Sequence, residues 1–243
     1  MNTPRLELIT TVPERAMVVF AHPDDAEICA GGVLAKWAAA GREVHLLILT
    51  NGDRGSQDPD MDRTALAATR LRETEDAARV RGLASVRIGS VHDSELENTE
   101  EVREEAVRRI REVRAETVLA CDPTTVFFEN RYYNHSDHRV SGFVALDAAY
   151  PGSGNPHFFP DQLRDGLQVQ DVFDIWLGWT HEPNHAEDIT GFLAKKVDAL
   201  AKHASQLEEG IRFFEDFLGK DAVEAGEKIG VEHAEEYRVL DLS

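Results

Sequence analysis

Cysteine is almost missing from this chain. Only Cys29 and Cys121 occur, far apart and in no CxxC pattern. That argues against a disulfide framework and fits a reducing, cytoplasmic compartment, with both thiols read as small buried groups. Basic charge is also scarce: 26 Lys and Arg stand against 45 Asp and Glu, a formal net charge of −19. Nucleic acid and anionic membranes bind through basic surface, so neither is an expected partner. No apolar run is long enough to span a bilayer. The opening MNTPRLELITTVPERAMVVF lacks the basic region and apolar stretch of a signal peptide, and none is expected. Internal repeats and low-complexity tracts are absent too. The 243 residues, 42% of them hydrophobic, are read as a single domain over 1–243 with a sizeable core.

What is present alternates. AMVVFA (16–21) and EVHLLILT (43–50) are short apolar runs of the kind buried on both faces of a parallel sheet, and SVRIG (85–89) and ETVLACDP (116–123) continue the series. Between them lie helical patterns over 27–42, 61–81 and 99–115, with stops at Gly41 and Gly82 and an N-cap at Thr99. A further helix is expected over 137–149, strands over 172–180 and 186–190, and helices across most of 190–230. The segment 150–170, rich in Pro, Gly and aromatics, reads as an ordered insertion or lid that buries Phe158 and Phe159. Alternation of this kind predicts an α/β fold with a mostly parallel sheet, helices on both faces and an active site beyond the carboxyl ends of the strands.

Four polar clusters fall at those ends: His22–Asp25, Asn51–Arg54, His92–Asp93 and Asp122. The first, within VVFAHPDDAEICAGG, crowds an imidazole and two carboxylates onto the tip of a strand. A second constellation, NRYYNHSDHRV (130–140), adds His135, Asp137 and His138. Two histidines and one aspartate suit a catalytic zinc with an open coordination position, and a spare carboxylate beside it suits a general base. In the HPDD turn His22 and Asp25 are three apart and can face the same way as the helix begins, whereas Asp24 points elsewhere. That spacing suggests His22 and Asp25 as ligands and Asp24 as base.

The run AHPDDAEICAGGVLAKWAAAGREVHLLILTNGDRGS, followed by NHSDHR, resembles the zinc N-deacetylase family known as LmbE or PIG-L, whose members remove acetyl groups from N-acetylglucosaminyl compounds. The similarity covers most of residues 15–145, with an echo in KVDALAKHASQ (196–206). The resemblance implies a Rossmann-like fold and one zinc (Zn2+), a site that would also suit ferrous iron (Fe2+). By motif position it implies His22, Asp25 and His138 as ligands and Asp24 as general base. It further implies His135 as the group that stabilises the tetrahedral intermediate or acts as acid, Asp137 as its orienting partner, Tyr133 as an assisting tyrosine and Arg54 as a sugar contact. Two departures, Ala26 before Glu27 and Ser136 in place of proline, remove no ligand.

Other readings stand beside these. His22, Asp24 and Asp25 are also fit to cap a helix, and His135 with Asp137 to form a first-turn ion pair. Asp93 is either a contact to sugar hydroxyls or a turn residue. Gly31-Gly32 lies inside a helix with no GxGxxG, which favours close packing against the sheet over a phosphate loop. Trp176, Trp179, His181, His185 and His203 read as packing or surface residues. The expected function is metal-dependent hydrolysis of an N-acetylated amino-sugar small molecule. The alternatives are an amidase on a thiol conjugate, an antibiotic-tailoring deacetylase, and a non-hydrolytic Rossmann-like binding protein. A homo-oligomer is compatible with the sequence.

Overall fold

A computed structural model of the chain describes residues 6–8, 12–207 and 210–243. The parts of the N-terminal reading on 1–5 and 9–11, and of the helical reading on 208–209, lie outside the described residues. The elements in chain order are β1 (Glu7–Leu8), β2 (Arg15–Phe20), α1 (Asp25–Ala39), β3 (Glu43–Thr50), α2 (Arg63–Arg81), β4 (Ser85–Val91), α3 (Glu100–Val113) and β5 (Thr117–Cys121). The hairpin β6 (Phe127–Phe128) and β7 (Tyr132–Tyr133) follows, then α4 (Ser136–Asp147) and α5 (Pro160–Arg164). The chain closes with β8 (Asp174–Gly178), β9 (His185–Asp188), α6 (Leu193–Leu200), α7 (Ile211–Ile229) and β10 (Ala234–Asp241).

Among the described residues, eight strands form one sheet in the order β1-β9-β10-β8-β5-β2-β3-β4. The pairs β2–β3, β3–β4, β2–β5 and β5–β8 are parallel, and β10 is antiparallel to both of its neighbours. Successive residues of β2 feed opposite cores, as a pleated strand requires. Met17 and Val19 pack with Ala106, Val107 and Ile110 of α3 and Val144 and Ala145 of α4. Ala16, Val18 and Phe20 pack with Val33, Leu34 and Trp37 of α1. Helices therefore cover both faces, which is why β2, β3 and β5 are written almost wholly in apolar residues. The chain runs from β2 outward through β3 to β4 and then crosses back to β5 on the other side of β2. That reversal opens a crevice at the carboxyl end of β2, where ligands bind in sheets of this kind.

Local signals set the element ends. The Asp62 side chain accepts from the Thr64 and Ala65 N–H groups to start α2, and Gly82 at φ 84° stops it. Thr99 caps α3 through the Val102 N–H. Two expectations change. Phe158 is exposed, whereas Phe159 packs on the core. The 150–170 segment is an ordered insertion and not a lid: the buried Arg111 guanidinium of α3 donates to the carbonyls of Gly152, Ser153, Asn155, Phe158 and Phe159. Gly31 and Gly32 pack closely as expected, Gly31 against Lys196 of α6 and Gly32 against Ile189 at the end of β9, with the Gly32 N–H donating to Glu235 of β10. No helix among the described residues is long and apolar enough to cross a membrane.

Candidate active site

His22 leaves β2 at its carboxyl end, Asp25 opens α1, and His138 sits in the first turn of α4. Their side chains meet. His22 Nδ1 is 3.1 Å from His138 Nε2, His138 Nε2 is 3.1 Å from Asp25 Oδ1, and His22 Nδ1 is 3.5 Å from Asp25 Oδ2. Tetrahedral ligands at normal zinc distances stand about 3.3 Å apart, so these three donors fit one ion. The set also has the outer hydrogen bonds that metal-binding imidazoles use. Asn134 Oδ1 lies 3.0 Å from His138 Nδ1 and accepts its proton, which leaves the Nε2 lone pair facing the cluster. The other edge of His22 carries a buried nitrogen, Nε2, 3.4 Å from both Asp93 Oδ1 and Asp137 Oδ2. A second grouping able to hold an ion, His22 with His135 and Asp137, shares His22 with the first.

The electrostatics favour a cation here. Burial opposes a charged His22, yet Asp25, Asp137 and Asp93 outweigh it and raise the imidazole pKa well above its ordinary value. Burial likewise opposes a charged Asp25, and His138 and His22 hold its carboxyl well below the usual carboxylate range. Asp93 is lowered to about 2: burial works against this, and the His22 and Ser94 contacts with the nearby Arg70 charge prevail. His135 goes the other way, lowered chiefly by burial and by the charge of His22, which favours its neutral form.

Asp24 stands apart from the three donors. Its Oδ1 accepts a 2.9 Å bond from Arg70, whose buried guanidinium also donates to Gly52 O and lies 3.8 Å from Asp93 Oδ2. The sequence reading missed Arg70, which comes from mid-α2 in a string of charges that looks solvated. It missed Asn134 as well, although Asn134 stands in the NHSDH run itself.

The remaining expected residues are placed unevenly. Asp137 is buried, and its carboxylate contacts Ser94 and His22. It accepts from the Ser94 N–H at 2.8 Å and faces His22, while its backbone N–H reaches His135 Nδ1 at 3.2 Å. Arg54 is tied to the Asp93 carbonyl and to Glu95, so its guanidinium is engaged at the rim of the site. Tyr133 is exposed, and its hydroxyl takes a bond from Arg139; no contact joins it to the three donors. The hairpin bearing it lines a cavity of about 430 Å3 with Phe127, Glu129, Arg131 and Tyr132. His92 bonds Asp53, and Asp122 binds Thr124 and Thr180, so both knit loops together. Trp176 packs on Trp37, while Trp179 lies over His138 at 5.0 Å between ring centroids.

A mostly parallel sheet with two imidazoles and a carboxylate converging at its switch point is a site able to hold a divalent metal ion. The chain belongs to the PIG-L family, described as GlcNAc-PI de-N-acetylase, whose model matches residues 17–149. It is 32% identical over 228 residues to the diacetylchitobiose deacetylase of Thermococcus kodakarensis, covering 93% of this chain and 83% of that one. Over 250 residues it is 27% identical to the 1D-myo-inositol 2-acetamido-2-deoxy-alpha-D-glucopyranoside deacetylase of Rhodococcus erythropolis, covering 82% of this chain and 83% of the relative. The solved N,N'-diacetylchitobiose deacetylase of Pyrococcus horikoshii, in complex with an inhibitor, superposes with a TM-score of 0.86 at 32% identity. That match covers 94% of this chain and 84% of the other.

Proposed function

We propose that this protein removes the N-acetyl group from an N-acetylglucosaminyl small molecule, yielding acetate and a free amino sugar, with zinc as its metal. The observation that carries this reading is the triad of donors at 3.1–3.5 Å with a carboxylate left outside it. The two curated relatives act, by name, on different conjugates that share a 2-acetamido-2-deoxyglucose unit or its disaccharide. The common unit is therefore the assigned substrate class.

His22, Asp25 and His138 would hold the ion. When bound, a divalent metal supplies Lewis acidity, polarising an amide carbonyl and making water acidic near neutral pH. The chain's own groups do the rest. Asp24 accepts the proton of the attacking water, its carboxylate held by Arg70 through one oxygen so that the other is available. His135, kept near neutral by its surroundings, presents a ring N–H to the negative charge that develops on the former carbonyl oxygen. The proton taken by Asp24 then passes to the leaving amine. Arg54, at the rim beyond the carboxyl end of β3, is assigned to the sugar, whereas Asp93 is buried behind His22 and supports the metal site instead.

Incubation with diacetylchitobiose and with the inositol 2-acetamido-2-deoxyglucoside, reading free amine and acetate together, tests the proposal. Equal release of both products, abolished by chelation and restored by zinc, is expected. Metal-loaded protein inert on every N-acetylglucosaminide would refute it.

A further inference from the structure

Ser94 follows Asp93 in the loop after β4, and among the described residues it is one of few other than glycine with a positive φ, at 67°. A side chain in that backbone region is strained, and such strain persists where neighbours over-determine the conformation. Three neighbours do so here. The Ser94 N–H donates to Asp137 Oδ2 at 2.8 Å, its hydroxyl donates to Asp93 Oδ1 at 3.1 Å, and the same Oγ lies 3.4 Å from His135 Nε2. Asp93 and Asp137 are the two carboxylates beside His22 Nε2. One residue thus ties both carboxylates behind a metal-binding imidazole to the histidine across the site.

The bonds also define the state of His135. Its Nδ1 accepts the Asp137 backbone N–H at 3.2 Å, so the neutral ring carries its proton on Nε2. Ser94 Oγ has already given its own proton to Asp93, so its lone pair is what faces Nε2–H. At 3.4 Å the contact is long for a hydrogen bond. It restrains the orientation of the ring through a weak bond, which the N–H exchanges for a reacting oxygen when one arrives.

We propose that Ser94 is a positioning residue for the deacetylation: its hydroxyl fixes the direction of the His135 Nε2–H, and its strained backbone sets the carboxylates behind His22. The proposal rests on the deacetylase reading above. It does not require Ser94 to touch the substrate.

Hydroxyl and backbone can be separated by four chains: wild type, Ser94→Ala, Ser94→Gly and Ser94→Thr, each zinc-loaded. Each is assayed for kcat and KM on diacetylchitobiose, for zinc affinity by chelator competition, and for the midpoint of urea unfolding. Removing the hydroxyl in Ser94→Ala and Ser94→Gly is expected to lower kcat roughly tenfold with KM nearly unchanged, because a misaimed group weakens the transition state more than binding. Ser94→Thr restores the hydroxyl and recovers most of kcat. Stability ranks differently: Gly is the most resistant to urea and Thr the least, since only Gly takes a positive φ without strain. Zinc affinity in Ser94→Gly stays at the wild-type level. Turnover that follows the stability ranking, or that is the same in all four chains, overturns the proposal. A wild type with bound zinc that hydrolyses no substrate overturns the deacetylase reading instead.

Discussion

Asn134→Ala gives a direct measure of how far the metal centre depends on the residues behind it. Asn134 is 1% exposed and holds three bonds at once. Its N–H donates to Val126 O at 2.8 Å, its Nδ2 donates to Thr125 O at 2.8 Å, and its Oδ1 accepts from His138 Nδ1 at 3.0 Å. Truncation keeps the backbone bond and removes both side-chain bonds. His138 then loses the acceptor that fixes its tautomer and ring plane. Loss of such an outer partner typically weakens metal binding by about 10- to 100-fold, or roughly 1.4–2.8 kcal/mol. Leaving the buried Thr125 carbonyl and the His138 N–H without partners costs further folding stability, on the order of 1–3 kcal/mol per group. Asn134→Asp separates the two effects. It keeps an acceptor for His138 but sets a carboxylate oxygen against the buried Thr125 carbonyl, so zinc affinity is retained while stability falls by at least roughly 1–3 kcal/mol. Zinc competition with a chromogenic chelator reads the first quantity and urea unfolding the second. An Asn134→Ala chain that binds zinc within twofold of wild type would refute the reasoning, as would an Asn134→Asp chain that loses affinity equally.

Two further predictions concern the anchor of α1. Glu27, two residues beyond Asp25, forms a fully buried ion pair with Arg81, and its other oxygen lies 3.4 Å from the fully buried His203 Nε2. Arg81→Met strands the Glu27 charge and is expected to cost about 3–5 kcal/mol, whereas the double change Glu27→Leu with Arg81→Met recovers most of the loss; equal urea midpoints for single and double variants would contradict this. The His203 contribution varies with pH. Burial opposes its charged form, but the Glu27 carboxylate, with Asp24 adding to it, raises its pKa above the ordinary value. A raised pKa in the folded state means stabilisation that is complete below about pH 6.5 and fades as pH climbs through the folded value. The unfolding free energy lost in His203→Gln is therefore larger at pH 5.5 than at pH 9, and a loss that grows with pH would reverse the sign of the argument.

Much of the scaffold was readable because β2, β3 and β5 are apolar on both faces and the helices between them carry ordinary caps. The reading stopped at β10. Its residues AEEYRVLD alternate correctly, but Glu235 occupies an inward position and looks solvent-facing in sequence. In the fold Glu235 is buried, bonded to Lys196, to Tyr237 and to the N–H groups of Gly32 and Val33. A partner 39 residues away in α6 is not visible in a local pattern.

The site divides the same way. His22, Asp24 and Asp25 are contiguous, and His138 belongs to a second compact motif, so their convergence follows from the strand order once α4 is placed. Arg70 has no local mark, because what distinguishes it from Arg72 is the direction its helix faces. Tyr133 matches the resemblance only through its distance from His135 along the chain. In the hairpin its side chain shares a face with Phe127 and its hydroxyl meets Arg139. Asp137 shows the limit of motif reasoning: residue and location agree with the resemblance, yet its carboxylate serves Ser94 and His22 while its backbone serves His135.

Metal content and turnover measured on the same samples test the central claim most directly. Wild type, His138→Ala and Asp24→Ala are purified, loaded with zinc, desalted, and analysed for bound metal and for acetate release. The account predicts about one ion per wild-type chain. His138→Ala is expected to hold little metal, and Asp24→Ala a full complement with turnover reduced by roughly a hundredfold or more. Stoichiometric zinc in His138→Ala, or undiminished hydrolysis in Asp24→Ala, would contradict it.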